Sequence, residues 1–225
     1  MVTVTYHGHN CVELESEAGK VIVDPFLSDN PLTDVSPDDI DVDAILLTHV
    51  HGDHIGDTIS IAKRLDVPVI STFDVISWLD RTHGISGHAM NIGGTHRFDF
   101  GRVRLVTAQH GNSTPDGLAL GPACGVVIDF EPTVVYHAGD TGLSLEMKLL
   151  DGILETIDLA CLPIGGNFSM DVADAVHATD FIKPRIVMPI HYNTYELIEA
   201  DPKDFAKRVD CDCLILNSGE TADID

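Results

Sequence analysis

The stretch Thr48-His49-Val50-His51-Gly52-Asp53-His54 decides the interpretation of this chain of 225 residues. It follows an uninterrupted apolar run at 44–47, which is typical of a strand buried on both faces. His49 and His51 stand two apart in extended backbone, so their imidazoles project to one side and can hold one cation. The stretch therefore predicts a metal site just beyond the end of a buried strand.

Asp53 and His54 follow where we predict that the chain turns into a helix starting near Gly56. They can face a second cation a few ångströms from the first. Because one metal usually needs three or four protein ligands, other segments must complete both sites. Three candidates each follow another predicted strand: His110, Asp140 and His191.

These candidates belong to loops that are far apart in the chain. In open sheets, reactive groups gather beyond the strand ends, because loops converge there while the strands hold them rigidly. A carboxylate such as Asp140 can bridge two cations, since each of its oxygens can take one metal. Chance burial of so many unpaired polar groups would cost several kcal/mol if nothing coordinated them.

The order of predicted elements occurs twice along the chain. Alternating β-branched segments at 2–6, 11–15 and 20–24 predict antiparallel strands, and a helix at 58–65 and a strand at 67–70 follow them. The second half has predicted strands at 103–108, 125–129, 133–137, 158–162, 185–190 and 213–216, and helices at 143–154, 171–182 and 202–209. We therefore expect one domain over residues 1–225, of the α/β (α+β) class, with sheets sandwiched between helices.

Composition restricts the classes of partner. The chain has 13 Lys+Arg against 36 Asp+Glu, and its formal net charge of -23 repels phosphate backbones and anionic membrane surfaces. We therefore expect no nucleic-acid partner and no stable membrane association. The N-terminus lacks a basic region followed by an apolar one, and the five cysteines are scattered, so we expect a cytoplasmic protein with free thiols.

Together, His-x-His-x-Asp-His and a separate His, Asp and His resemble the ligand pattern of the metallo-β-lactamase superfamily. Residues 21–26, 136–142, 163–170 and 188–194 are similar to a branch of metal-dependent hydrolases related to the ascorbate-6-phosphate lactonase and N-acylphosphatidylethanolamine phospholipase D groups. The resemblance implies a four-layer αββα sandwich and a homo-oligomer as an alternative to a monomer. It implies one metal on His49, His51 and His110, a second on Asp53, His54 and His191, and Asp140 as the bridge.

Variation within the superfamily favours hydrolysis over redox chemistry. Di-iron reductases of this fold usually carry Glu where this chain has His51, and the best-known zinc β-lactamases carry Arg where it has His54. The expected function is hydrolysis of a small-molecule substrate by a water that two metals activate, with a lactone or cyclic ester ahead of a small phosphodiester. Zinc is the first choice of metal, before manganese, iron or nickel. The alternatives are a non-catalytic metal-binding or sensing module and a mononuclear-iron dioxygenase of the same fold.

Two residues are predicted to act in catalysis. Asp53 would orient the attacking water while it binds metal, and His9, at the end of the first strand, would face the site. Asp24 is expected to support the ligand loops through hydrogen bonds, and His137 to support the loop before Asp140. Two asparagines, Asn167 and Asn193, are expected either to donate to a substrate oxyanion or to occupy cap and turn positions.

Overall fold

A computed structural model describes residues 1–153 and 156–224. The strands are β1 Val2–Tyr6, β2 Val12–Ser16, β3 Gly19–Val23, β4 Ala44–Leu46, β5 Val69–Thr72, β6 Gly87–Met90, β7 Thr95–Phe98, β8 Gly101–Thr107, β9 Cys124–Asp129, β10 Val134–His137, β11 Leu159–Pro163, β12 Ile186–Ile190, β13 Asp212–Cys213 and β14 Thr221–Ile224. The α-helices are α1 Gly52–Ile55, α2 Thr58–Leu65, α3 Phe73–His83, α4 Leu150–Ile153, α5 Val172–Ile182 and α6 Pro202–Ala206. Short 3-10 helices occupy Pro37–Asp39, Leu145–Leu149 and Glu196–Ile198.

The strands form two mixed sheets of seven strands each. Their orders are β14-β1-β2-β3-β4-β5-β6 and β13-β12-β11-β10-β9-β8-β7. In both sheets the first strands along the chain pair antiparallel, as β1 with β2 and β8 with β9, and the later ones pair parallel, as β4 with β5 and β11 with β12. The predicted repetition of antiparallel strands followed by strand–helix alternation is therefore confirmed.

Three apolar clusters define four layers. One lies between the sheets and joins residues such as Val23 and Leu46 to Val126 and Met188. The second packs the outer face of the first sheet, including Ile22 and Ile45, on α2 and α3. The third packs the outer face of the second sheet on α4, α5 and α6. Because neighbouring strand residues such as Ile22 and Val23 enter different clusters, both faces of each sheet are buried, which confirms the αββα sandwich.

The helix predicted to start near Gly56 is α2, and a short helix that was not predicted, α1, precedes it. Gly56 ends α1, with a φ of 36°, and the longer helix α2 begins at Thr58. A side chain at Gly56 would place its Cβ 2.5 Å from the Pro25 carbonyl oxygen. The close approach of these two segments therefore requires glycine and separates α1 from α2. As a result, Asp53 and His54 lie within a single helical turn.

The last predicted strand, at 213–216, is also shorter than expected. The Leu214 N–H donates to the Val187 carbonyl at 2.8 Å, so the backbone of Val187 faces β13. Because alternate residues of a strand face the same neighbour, the backbone of Pro189 faces β13 as well. Proline has no N–H to continue this ladder, and β13 ends at Cys213. A strand that we did not predict, β14, then pairs antiparallel with β1.

Several other boundaries differ from the predictions. The predicted helix at 143–154 is a 3-10 helix, Leu145–Leu149, that continues into α4, and position 154 lies outside the described residues. The helix α6 ends at Ala206 instead of Val209. No prediction covered residues 71–102, where α3, β6 and β7 lie. The helices α2 and α5 end as predicted, at Leu65 and Ile182.

All five cysteines are free thiols, three of them buried, in agreement with the prediction. Over 1–153 and 156–224, no helix combines the length and the apolar character needed to cross a bilayer.

Candidate metal centre

The strand ends bring the predicted ligands to one edge of the sandwich. His9 follows β1, His49 follows β4, His110 follows β8, and Asp140 and His191 follow β10 and β12. Three residues of this centre adopt left-handed backbone without being glycine: His9 (φ 57°), Asp24 (φ 46°) and His191 (φ 51°). Such conformations cost free energy and collect at functional sites. The surrounding fold therefore holds these side chains in fixed directions.

The described residues include two groups of ligand atoms, one for each set of predicted ligands. Within each group, all of the ligand atoms lie within 4.8 Å of one another. The first group is His49, His51 and His110. The second is Asp53, His54 and His191, together with His9. Each group therefore has the number and type of ligands that one divalent cation requires.

In the first group, ring nitrogens face one another instead of ordinary partners. His51 Nδ1 lies 3.0 Å from His49 Nε2 and 3.2 Å from His110 Nε2. Burial lowers the pKa of all three histidines, which favours the neutral imidazole. A neutral ring with a lone pair directed at a common point is the form that binds metal.

Asp140 lies between the two groups. Its Oδ2 is 3.1 Å from His191 Nε2 and 3.5 Å from His110 Nε2, while its Oδ1 is 3.4 Å from His54 Nε2. Burial alone raises the pKa of this carboxyl, but the nearby His54 and His191 outweigh burial and hold the pKa well below its ordinary value. Asp140 is therefore an ionised carboxylate whose two oxygens face different ligand histidines, as a bridging role requires.

Asp24 supports the ligand loop from behind. Its Oδ1 accepts from the Thr48 N–H at 2.8 Å, and its Oδ2 accepts from the Thr48 hydroxyl at 2.6 Å. His54 Nδ1 lies 2.8 Å from Asp24 Oδ2, and His49 Nδ1 lies 3.0 Å from Thr48 Oγ1. These contacts place a proton on Nδ1 of both rings and leave Nε2 as the metal-binding atom. Although Asp24 also lies within ligand distance of His49 and His54, its oxygens are engaged, so its role is support, as predicted.

His54 has an unusual electrostatic environment. Burial lowers its pKa, but the carboxylates of Asp140 and Asp24 outweigh burial and raise that pKa above its ordinary value. Within the described part of the chain, His54 Nε2 and His191 Nδ1 are buried and have no hydrogen-bond partner. Two carboxylates beside an unpartnered imidazole nitrogen form an environment that favours positive charge, and a divalent cation fits it.

His9 contacts this centre through Asp53. Its Nε2 lies 3.2 Å from Asp53 Oδ2, and its Nδ1 lies 2.8 Å from Thr194 Oγ1. The His9 ring is fully buried, whereas the Asp53 side chain is 29% exposed. Burial lowers the pKa of His9 to about 4, and the contact with Asp53 only partly offsets this effect. Asp53 is therefore the member of the pair that solvent reaches.

Besides Thr194, three further residues at the site had no predicted role. Asn10 Nδ2 donates to Asp140 Oδ1 at 3.0 Å, and Asn112 Oδ1 accepts from the Val50 N–H at 3.0 Å, which ties the His110 loop to the 48–54 stretch. Tyr195 packs its ring on His9, with 5.8 Å between centroids. The position of Asn10 next to His9 was the only sequence signal for these roles.

The remaining predicted residues lie away from the ligands or support them. His137 Nε2 lies 3.0 Å from the Asn10 carbonyl oxygen, and the Gly139 N–H donates to His137 Nδ1, so His137 supports the loop as predicted. Asn193 Oδ1 accepts from the Ala200 N–H at 2.9 Å, and both Asn193 and Asn167 have positive φ. Both asparagines therefore occupy turns, the second of their two predicted roles.

Known proteins with similar sequences and structures place the chain in a family. The family described as the beta-lactamase superfamily domain matches residues 20–192. A UPF0173 metal-dependent hydrolase of Natranaerobius thermophilus is 47% identical over 221 residues, which are 96% of this chain and 97% of that protein. A second UPF0173 metal-dependent hydrolase, from Bacillus cereus, is 44% identical over 224 residues, which are 97% of this chain and 98% of that protein.

A solved structure agrees with this placement. Igni18, described as a novel metallo hydrolase from the hyperthermophilic archaeon Ignicoccus hospitalis, has a TM-score of 0.90 and 33% sequence identity. The match covers 98% of this chain and 97% of that chain. The chain therefore belongs to the metallo-β-lactamase superfamily and, within it, to the family of the UPF0173 metal-dependent hydrolases.

Proposed function

We propose that this metal-dependent hydrolase opens a lactone or other cyclic ester at a centre of two divalent cations, with a small phosphodiester as the second class of substrate. The observation that carries the proposal is the division of the ligand atoms into two groups on either side of Asp140. A site for one cation needs only one of these groups. The second group, and a carboxylate whose oxygens face both, favour a pair of cations.

The donor atoms favour zinc and can also bind other transition metals. Imidazole nitrogen with carboxylate oxygen suits zinc, manganese, iron or nickel, and affinity order alone does not decide which one is bound in the cell. When bound, such cations polarise a substrate oxygen and lower the pKa of a water molecule toward neutrality. The residues of the chain supply orientation and proton handling around that chemistry.

Asp53 is the proposed orienting carboxylate. It stands at the boundary between the buried ligands and solvent, and His9 Nε2 lies 3.2 Å from its Oδ2. With both ring nitrogens engaged, His9 is placed to hold Asp53 in one rotamer, and Thr194 in turn orients His9. We therefore propose that Asp53 orients the attacking water and that His9 positions Asp53.

Hydrolysis of a lactone by water conserves both atoms and electrons. The water oxygen forms a bond to the acyl carbon, the bond between that carbon and the ring oxygen breaks, and the ring oxygen leaves as an alcohol. One proton of the water passes to the leaving oxygen, and the products are one hydroxyl and one carboxylic acid. No oxidant or reductant is consumed, which distinguishes this reaction from that of a dioxygenase.

The proposal is tested with metal-free protein and with protein reloaded with zinc, manganese or iron. Each form is assayed against a lactone, a phosphodiester, a thioester and a β-lactam, with dioxygen uptake recorded in parallel. We expect metal-dependent lactone opening without dioxygen uptake. His9→Gln should lower kcat and leave metal content unchanged, whereas His88→Gln, a change outside the centre, should alter neither. Metal binding without turnover of any substrate would instead support a binding or sensing module.

A further inference from the structure

We infer that the site selects a neutral substrate with an apolar substituent and discriminates against phosphorylated or otherwise anionic ones. This inference rests on the proposed hydrolytic function and specifies its substrate class. It ranks the lactone above the phosphodiester.

Lys and Arg are missing from the described loops at the edge of the sandwich that carries the ligands. β5 leads directly into α3, and the other segments that follow the strands at this edge are 7–11, 24–43, 47–57, 91–94, 108–123, 138–144, 164–171, 191–201 and 214–220. None of the 13 lysines and arginines of the chain lies in any of these segments. Proteins that recognise phosphate or carboxylate groups generally use Arg or Lys for this purpose. The loops around the centre offer neither.

One arginine does contact one of these segments, but far from the centre. Arg64 donates to the carbonyl oxygens of Pro37 and Ile40, at the end of the 24–43 segment. That end leads into the start of β4 at Ala44, whereas the ligand stretch follows the end of the same strand. Arg64 therefore belongs to the opposite edge of the sheet.

The local charge around the entrance is negative. Asp53 is partly exposed, and burial together with the carboxylates of Asp53 and Asp29 raises the pKa of Tyr195 to about 12. The carboxylates of Asp24, Asp53 and Asp140 offset most of the charge that two divalent cations would bring. An anionic substituent of a substrate would therefore meet carboxylates and no balancing ammonium or guanidinium group.

Large apolar side chains stand exposed on two adjacent segments beside the centre. Phe168 is 53% exposed in the 164–171 segment, and Tyr195 and Leu197 are 41% and 65% exposed in the 191–201 segment. The two segments pack closely, since a Cβ on Gly165 would lie 2.3 Å from the His191 carbonyl oxygen. On a chain with a net charge of -23, this apolar surface next to His9 favours an alkyl or aryl group on the substrate.

The inference is tested with a matched pair of substrates and the zinc-loaded full chain. One is a lactone with a neutral alkyl side chain, and the other is the same lactone with a phosphate at the end of that side chain. We expect kcat/KM to be on the order of 100-fold higher for the neutral lactone, because unfavourable charge juxtaposition costs several kcal/mol.

Two charge variants and a matched control extend the test. Phe168→Lys and Tyr195→Lys should each raise kcat/KM for the phosphorylated lactone about 10-fold, as one added charge pair near a desolvated site allows. Leu149→Lys changes a side chain that is 58% exposed on the 3-10 helix Leu145–Leu149, which contributes no ligand, and should leave the ratio unchanged. Circular dichroism checks that each variant is folded.

The outcomes separate the inference from the function on which it rests. Equal or better turnover of the phosphorylated lactone by the unmodified chain would overturn the inference and leave the hydrolase proposal intact. If zinc-loaded protein opened neither lactone, the proposed function and the inference would both fail.

Discussion

Replacing Asp24 with asparagine is the change that most specifically perturbs the centre without removing a ligand. Asp24 Oδ2 is shared by the Thr48 hydroxyl at 2.6 Å and His54 Nδ1 at 2.8 Å, while Oδ1 accepts from the Thr48 N–H. An amide of the same shape must direct its NH2 group at one of these sides. If the NH2 group takes the place of Oδ1, it meets the Thr48 N–H, which is also a donor. If it takes the place of Oδ2, it donates to His54 Nδ1 and forces His54 to carry its proton on Nε2, the nitrogen that the metal needs.

The size of the effect follows from the number of contacts. Leaving a buried donor unpaired costs about 1–3 kcal/mol, and loss of an outer hydrogen-bonding partner of a ligand histidine typically weakens metal binding about 10–100-fold. We therefore expect Asp24→Asn to raise the zinc dissociation constant by about 10–100-fold, which corresponds to roughly 1.4–2.7 kcal/mol. Competition against a chromophoric chelator at fixed pH measures this change directly.

Asp57→Asn is the matched control. Asp57 also accepts three hydrogen bonds, from the N–H groups of Leu27 and Ser28 and from the Ser28 hydroxyl, but it contacts no ligand histidine. Asp57→Asn should lower the free energy of unfolding, and its zinc affinity should stay within experimental error of that of the unmodified protein. Equal zinc affinity in Asp24→Asn and Asp57→Asn would refute the argument that Asp24 sets the tautomers of the ligand histidines.

Four further substitutions should have separable effects. His51→Ala and Asp140→Ala should abolish metal-dependent turnover and reduce bound metal while the circular dichroism spectrum stays native, and full activity in either variant would exclude the assigned ligands. Asn10→Ala removes the 3.0 Å hydrogen bond to Asp140 and should lower the free energy of unfolding by about 1.5–3 kcal/mol, measured by chemical denaturation. The loss should be smaller for zinc-loaded protein, because zinc would then stabilise the Asp140 carboxylate. Gly165→Ala would bring a Cβ within 2.3 Å of the His191 carbonyl, so we expect a loss of about 1–3 kcal/mol in urea unfolding, and an unchanged midpoint would contradict the close packing of these loops.

The parts of the fold that depend on local pattern could be predicted from the sequence. Continuous apolar runs marked the buried strands β4, β10 and β11, and Lys183-Pro184 marked the end of α5. The strand β14 is different, since its four residues Thr221-Ala222-Asp223-Ile224 give only one short alternation, with Thr221 and Asp223 exposed and Ile224 buried. It is a strand because β1 offers an unpaired edge, and that information lies at the other end of the chain.

The candidate site, like the fold, could be predicted only in part from local sequence. Ligands were recognisable because histidine and aspartate are rare in combination at successive strand ends. Asn10 and Thr194 were not, because an asparagine or threonine in a loop has many ordinary uses, and only the fold brings them to Asp140 and His9. The role of Asp24 was predictable because it ends an apolar strand with a charged residue, which a buried strand otherwise avoids.

The central claim, that two cations share Asp140, is tested most directly by the stoichiometry of reactivation. Metal-free protein is titrated with zinc, and bound metal and lactone opening are measured on the same samples. We predict that activity rises to a plateau only when two zinc ions are bound per chain, and that Asp140→Ala binds fewer ions and stays inactive. Full activity with one ion per chain, or with no metal, would contradict this claim.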